Sequence, residues 1–151
     1  IGFGLKDSNL DSIRQAAQFA EIDKDILSFS NGYNTLVGER GVTLSGGQKQ
    51  RVSIARALVK DTKILILDDS LSAVDSRTEN EILSHIYDYM KNRTSILITH
   101  KLSNLRIFDK IVVLDQGEIK EMGSHEELIS MEGIYHEMYI RQQIQADDHK
   151  I

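Results

Sequence analysis

Between Asn9 and Glu21 the apolar residues Leu10, Ile13, Ala17 and Ala20 return every three or four positions, the spacing of one helix face. Asp23 to Ser28 reads as a second, shorter helical turn. From Ser30 to Leu44 the pattern breaks, and Asn31-Gly32, Gly38 and Gly41 punctuate a stretch expected to be mostly loop. A strong helix is expected from about Gly46 to Val59, with Val52, Ile54, Ala55 and Leu58 for its buried face. Lys63-Ile64-Leu65-Ile66-Leu67 then forms a short apolar run, which suits a strand buried on both faces of a parallel sheet. A polar loop, Ser70 to Asp75, leads into a helix predicted from Ser76 to about Lys91, where Ser76 and Glu79 make a capping box. Ser95 to Thr99 is a second such strand, ending at His100, so the order is a βαβ unit with a right-handed crossover. Further on, Ile111–Leu114 and Glu118–Glu121 flank Asp115-Gln116-Gly117 and predict a hairpin. Ser124 with Glu127 opens another helix to about Met131, and Ile134 to Ile144 reads as a last one, with Gln145–Ile151 frayed.

Composition narrows the function classes. With 151 residues, 40% of them hydrophobic, the chain can build one domain or a large piece of one. A formal net charge of −5 argues against non-specific nucleic-acid binding, though a local site can still hold phosphates. Cysteine is absent, which excludes disulfides, thiolate metal sites and thiol catalysis, and suits the reducing cytoplasm. No signal peptide is visible, and no apolar run approaches the ~20 residues that span a bilayer. Membrane association would therefore come through a partner or another segment. The chain opens on Ile1, inside what reads as ordered sequence, so a piece of a longer protein is expected.

Three local patterns could carry chemistry. Leu44-Ser45-Gly46-Gly47-Gln48 stands at a helix start, where Ser45 can cap, the glycines admit a close ligand, and free amides favour an anion. The plain alternative is a turn followed by a helix. Ile64 to Asp68 delivers a carboxylate at the C-terminal end of a strand, the edge where α/β sheets bind ligands, and such a carboxylate can hold Mg²⁺. An Asp after a strand can equally be a cap. His100 ends the next strand and could reach the same edge, or be structural. His125-Glu126 and His136-Glu137 lack the second His that a zinc-binding helix needs, and His85 and His149 suggest no role.

Taken in order, these patterns resemble the ATP-binding cassette (ABC) family. Leu44 to Leu58, LSGGQKQRVSIARAL, is similar to its signature motif and following helix, Ile64 to Asp68 to Walker B, Ser72 to Asp75 to the D-loop, and Ile98-Thr99-His100 to the H-loop. The resemblance runs from near Ile1 to about Gln143. It implies an α/β fold of the P-loop NTPase type, present in part: a helical signature subdomain (1–60), the C-terminal part of the ATPase core (61–145) and a tail (146–151). Gly32-Tyr33, Gly38-Glu39-Arg40-Gly41 and Gly133 to Gln143 resemble bacterial multidrug and lipid exporters, and Asp68-Asp69-Ser70 resembles one half of heterodimeric multidrug exporters.

Family membership would give each residue a role. Two cassettes pair head to tail around two ATP molecules, so Ser45, Gly46, Gly47 and Gln48 would contact the γ-phosphate of ATP held by a partner cassette. Asp68 would help hold Mg²⁺, Asp69 would stand at the catalytic base, His100 would contact this half's own γ-phosphate, and Asp75 would link the two sites. The implied partners are a second, non-identical cassette and a membrane-spanning domain of the same chain, at the cytoplasmic face of the membrane. The transported substrate is not legible here. Non-transport relatives in DNA repair or translation, and a cassette that only binds its partner, are the other readings.

Three departures matter. No Gly-x4-Gly-Lys-Ser/Thr occurs, because the only near spacing, Gly41 to Gly46, continues Gly47-Gln48, so this stretch alone is not expected to bind ATP in the usual way. Where the family has Glu after the Walker B Asp, this chain has Asp69, a methylene shorter, which puts at risk much of the about 10²–10⁴-fold of general-base catalysis. Leu36 replaces a Glu often found before the Gly-Glu-Arg-Gly run. A sheet lacking its neighbours would also expose apolar surface, so poor stability or self-association is expected of the separate piece.

Overall fold

The computed structural model describes residues 1–3, 5, 9–38 and 42–148. Glu39, Arg40 and Gly41, part of the exporter-like run, lie outside the described residues, as does His149. Two compact units emerge, Ile1–Thr99 and His100–Ile151.

The first unit begins with α1 (Leu10–Phe19), α2 (Asp23–Ser28) and a short 3₁₀ turn (Gly32–Asn34). Asn9 starts α1 by accepting the Asp11 amide at 2.9 Å. The helix α3 (Gly46–Leu58) follows, and Ala16, Ala17 and Ala20 let it approach α1 around Ile54, Ala55 and Leu58. Val52, expected inside with them, is only partly buried.

The strands β1 (Ile64–Asp68) and β2 (Thr94–Ile98) pair in parallel, with Ile64 opposite Thr94 and Asp68 opposite Ile98. Between them runs α4 (Ser76–Met90), the helix a parallel connection requires. Ile82 and Ile86 of α4 are fully buried, each worth about 1.5–3 kcal/mol relative to exposure. Leu65 and Leu67 join the same core.

Two expectations need correction here. Neither strand is buried on both faces: Ile64 and Ile66 are each 57% exposed, and Ile96 and Ile98 are 46% and 50% exposed. The period-two geometry of a strand sends alternate residues to opposite faces, and the described residues cover only one of them. The cap of α4 is Asp75, not Ser76: the Asp75 side chain accepts the Thr78 amide at 3.0 Å, and Ser76 is already helical. Both residue types cap well, and the loop geometry decides.

The second unit pairs β3 (Ile111–Asp115) with β4 (Glu118–Gly123) as an antiparallel hairpin. Its two-residue turn, Gln116-Gly117, has φ of 50° and 80°, the left-handed pair that matches strand twist. The expected capping box opens α5 (His125–Ser130): Ser124 takes the Glu127 amide, and the Glu127 carboxylate takes that of Ser124. The last helix, α6 (Ile134–Asp148), runs past the expected fraying point at Gln145. Its first turn is capped from outside, because Glu121 of β4 accepts the amides of Ile134 and Tyr135 at 2.6 and 2.9 Å. Beneath it His125 Nδ1 lies 2.8 Å from the Tyr135 hydroxyl, both buried. No helix among the described residues is long and apolar enough to cross a membrane.

Candidate functional site

The glycine-rich turn sits at the head of α3. Ser45 is its N-cap: its hydroxyl accepts the Gln48 amide at 3.2 Å while Gln48 Oε1 accepts the Ser45 amide at 3.0 Å. The amides of Gly46 and Gly47 fall in the first turn, where the helix's own carbonyls cannot reach them. Such amides and the helix dipole together favour a bound anion. Gln48 Nε2 also donates to Asp25 at 2.7 Å, and Arg51 holds the other oxygen of that carboxylate at 2.9 Å. Arg51 donates as well to the Glu21 carbonyl. The turn is thus anchored to α2, with the Gln48 amide committed to the anchoring.

On its other side the turn meets the loop that follows β1. A Cβ at Gly47 would stand 2.9 Å from the Ala73 carbonyl oxygen, so glycine is what lets helix and loop touch. Gln50, one helical turn on, completes the contact. Its Nε2 donates to the Asp69 carbonyl at 3.1 Å and to Ser72 Oγ at 2.9 Å, and its Oε1 accepts the Ala73 amide at 2.8 Å.

Asp68 and Asp69 are exposed at the C-terminal end of β1. Asp69 donates its amide to the Ile98 carbonyl at 3.0 Å and has φ of 46°. Its carbonyl, besides meeting Gln50, accepts the Ser72 hydroxyl at 3.0 Å. Among the described residues no group of three or more His, Asp or Glu could hold a metal by itself. A Mg²⁺ at Asp68 would therefore take phosphate oxygens and water as its other ligands, which suits that ion. Asp75 ends the loop, where the Thr78 amide it accepts holds its carboxyl below the usual carboxylate range.

His100 opens the second unit and is exposed. Gln142 of α6 grips the backbone around it, donating to the His100 carbonyl at 2.6 Å and accepting the Leu102 amide at 2.9 Å. The structure therefore brings Ser45, Gly46, Gly47 and Gln48 together with the Asp68–Asp75 loop inside one unit, and gives His100 a clamp of its own in the other. Sequence reasoning missed both glutamines. Gln50 follows Gly46 by four residues, so it shares the helix face of the turn and could have been found. Gln142 comes from an element 42 residues away from His100, and no local pattern points to it.

The first unit thus sets a glycine-rich helix start beside strand-end carboxylates on a parallel βαβ unit, the arrangement of a nucleotide-binding α/β domain, and the fold matches part of an ABC ATPase. The ABC transporter family model matches residues 6–72. A probable multidrug resistance ABC transporter ATP-binding/permease protein of Bacillus subtilis, YheI, is 48% identical over 144 residues, covering 95% of this chain and 25% of that protein. An ATP-dependent lipid A-core flippase of Legionella pneumophila is 47% identical over 143 residues, covering 95% of this chain and 24% of the flippase. Among solved structures, a bacterial Atm1-family ABC exporter with ATP bound superposes with a TM-score of 0.84 at 45% identity, over 93% of this chain and 25% of that one. Over nearly its whole length the chain is homologous to part of the ATP-binding domain of these ABC transporters. It spans about a quarter of the length of these relatives.

Proposed function

We propose that this chain is part of the ATP-hydrolysing cassette of an exporter, and that it works as one half of an asymmetric pair. The observation that carries the reading is the seating of the glycine turn at Gly46-Gly47 against Ala73. That contact joins the residues that would face a partner's ATP to the loop carrying Asp69 and Asp75. Ser45, Gly46 and Gly47 supply a hydroxyl and amides to the γ-phosphate across the interface, and Gln48 fixes their turn. Asp68 would help hold Mg²⁺, which would offset the charge of the phosphates. Asp69 draws the proton from the water whose oxygen bonds to the γ-phosphorus as the bond to the departing ADP breaks, and His100 contacts the transferred group from this half's own side.

In this reading residues 1–60 form the helical subdomain that meets a membrane-spanning domain, 61–145 belong to the ATPase core, and 146–151 are a tail. The membrane-spanning domain is part of the same protein, and the second cassette is a non-identical half, at the cytoplasmic face. The relatives' multidrug and lipid A-core names support export and leave the substrate class open. The shorter carboxylate makes the site holding Asp69 slow, while the intact signature completes a competent site in the partner.

The test is ATP hydrolysis by the full-length protein, alone and with its partner. Activity only in the mixture supports the asymmetric pair, and equal activity alone removes it. In the mixture, Asp69→Glu should raise turnover at that site by roughly 10-fold or more, within the range general bases contribute. Unchanged turnover at that site would sink the weak-base assignment.

A further inference from the structure

We infer that Gln50 is a positioning residue that locks the signature turn and the Asp69–Ala73 loop into one body, so that the two cannot move independently against a partner cassette. The inference rests on the reading of the signature turn given above. Its ground is the stoichiometry of one side chain. A primary amide has two N–H donors and a carbonyl acceptor. Gln50 spends both donors on the loop, one on the Asp69 carbonyl and one on Ser72 Oγ, and its acceptor takes the Ala73 amide. All three partners lie in five consecutive residues, and two of them are backbone groups. The side chain therefore reads the path of the loop, not its composition.

What the clamp fixes is a backbone that would otherwise have a choice. Asp69 has φ of 46°, a left-handed conformation that L residues adopt reluctantly. A peptide in that state keeps its carbonyl direction only if donors hold it, and here Gln50 Nε2 and Ser72 Oγ do so at 3.1 and 3.0 Å. On the helix side, Gly47 leaves no room for sliding, since its α-carbon already faces the Ala73 carbonyl. Gly46, Gly47 and Gln50 are one helix face. One end of that face presents amides to a phosphate, and the other grips the loop that carries Asp69 and leads to Asp75. Movement of the loop is thereby passed to the turn. Neither side chain of similar size offers the same contacts: glutamate keeps the acceptor and loses both donors, and methionine keeps the shape and loses all three.

The experiment uses the full-length protein, co-purified with the cassette it pairs with, and ATP with Mg²⁺. Gln50→Met and Gln50→Glu are compared with the parent and with Gly46→Asp, which blocks the turn itself. Because the Gln50 amide is spent on the loop, its loss should lower kcat by roughly 10- to 100-fold, as misplacement by about an ångström can, with the KM for ATP changed less than about 2-fold. The melting temperature should stay close to the parent's, because the side chain is only half-buried. Ser72→Ala should cost little more once Gln50 is Met, since the two share a bond. Unchanged kcat in both Gln50 variants, beside a Gly46→Asp protein that is inactive, overturns the inference and leaves the signature reading standing. A matched loss of kcat and melting temperature overturns it too, by making Gln50 a folding residue. If Gly46→Asp itself retains full turnover, the signature reading has failed, and the clamp loses the role assigned to it.

Discussion

A methyl group at Gly47 would stand 2.9 Å from the Ala73 carbonyl oxygen, which explains at the residue scale why the turn is built from glycine. The sequence made the glycines visible, and their helix-start position too, but not what they approach. Contact between residues 47 and 73 depends on a fold, and local spacing carries none of it. The cap of α4 is a finer case. Asp75 with Thr78 and Ser76 with Glu79 are both sound capping patterns one residue apart, so pattern could not separate them. Asp75 also gives a residue-scale prediction. Its carboxyl is held below the usual range chiefly by the Thr78 amide, with the helix start adding a favourable dipole. Asp75→Asn keeps the acceptor and loses the charge, so at neutral pH it should unfold at lower denaturant than the parent. The folded pKa lies below the unfolded one, so the parent's advantage is complete above the ordinary carboxylate range. It fades as pH falls through the depressed value. Denaturant midpoints should converge in acid, and a gap constant with pH would show that the charge is not its source.

At the scale of elements, hydrophobic periodicity was a good guide to what forms and a poor one to what covers it. Helices α1, α2, α3 and α5 and the hairpin fall where spacing, caps and the Gln116-Gly117 turn place them. The burial of β1 and β2 does not, because an apolar run states that a strand can be covered on both faces without saying by what. Ser95 shows the reverse problem. It points to the covered side of β2, where its hydroxyl is buried without a hydrogen-bond partner among the described residues. Leaving such a group unmet costs about 1–3 kcal/mol. Ser95→Ala should therefore stabilise the first unit by about 1 kcal/mol, read as a higher denaturant midpoint at unchanged slope. A lower midpoint would mean that packing of the hydroxyl outweighs its desolvation.

For the molecule as a whole, the open face of β1 and β2 has a direct consequence. Ile64, Ile66, Ile96 and Ile98 form a contiguous apolar strip, and strips of this kind mark surfaces that seek a cover. The separate 151-residue chain should self-associate at micromolar concentration, and Ile66→Lys with Ile96→Lys should reduce that association in sedimentation experiments. In the full-length protein the same two changes should lower stability, because there a lysine would be placed under whatever covers the strip. Unchanged association of the lysine variant would assign it to another surface. The family was legible at this scale from the order of four short motifs. Gln142 was not, since its grip on His100 exists only once α6 has packed.

The left-handed backbone of Asp69 bears on how such a residue could change over time. Aspartate enters that conformation more readily than longer side chains, for which it costs roughly 1–2 kcal/mol. A step from Asp69 to glutamate would lengthen the carboxylate and strain the chain in the same move. The short residue therefore suits this backbone for a reason of folding that is independent of the chemistry at its carboxylate. A glutamate at this position would first need slack elsewhere in the protein's stability.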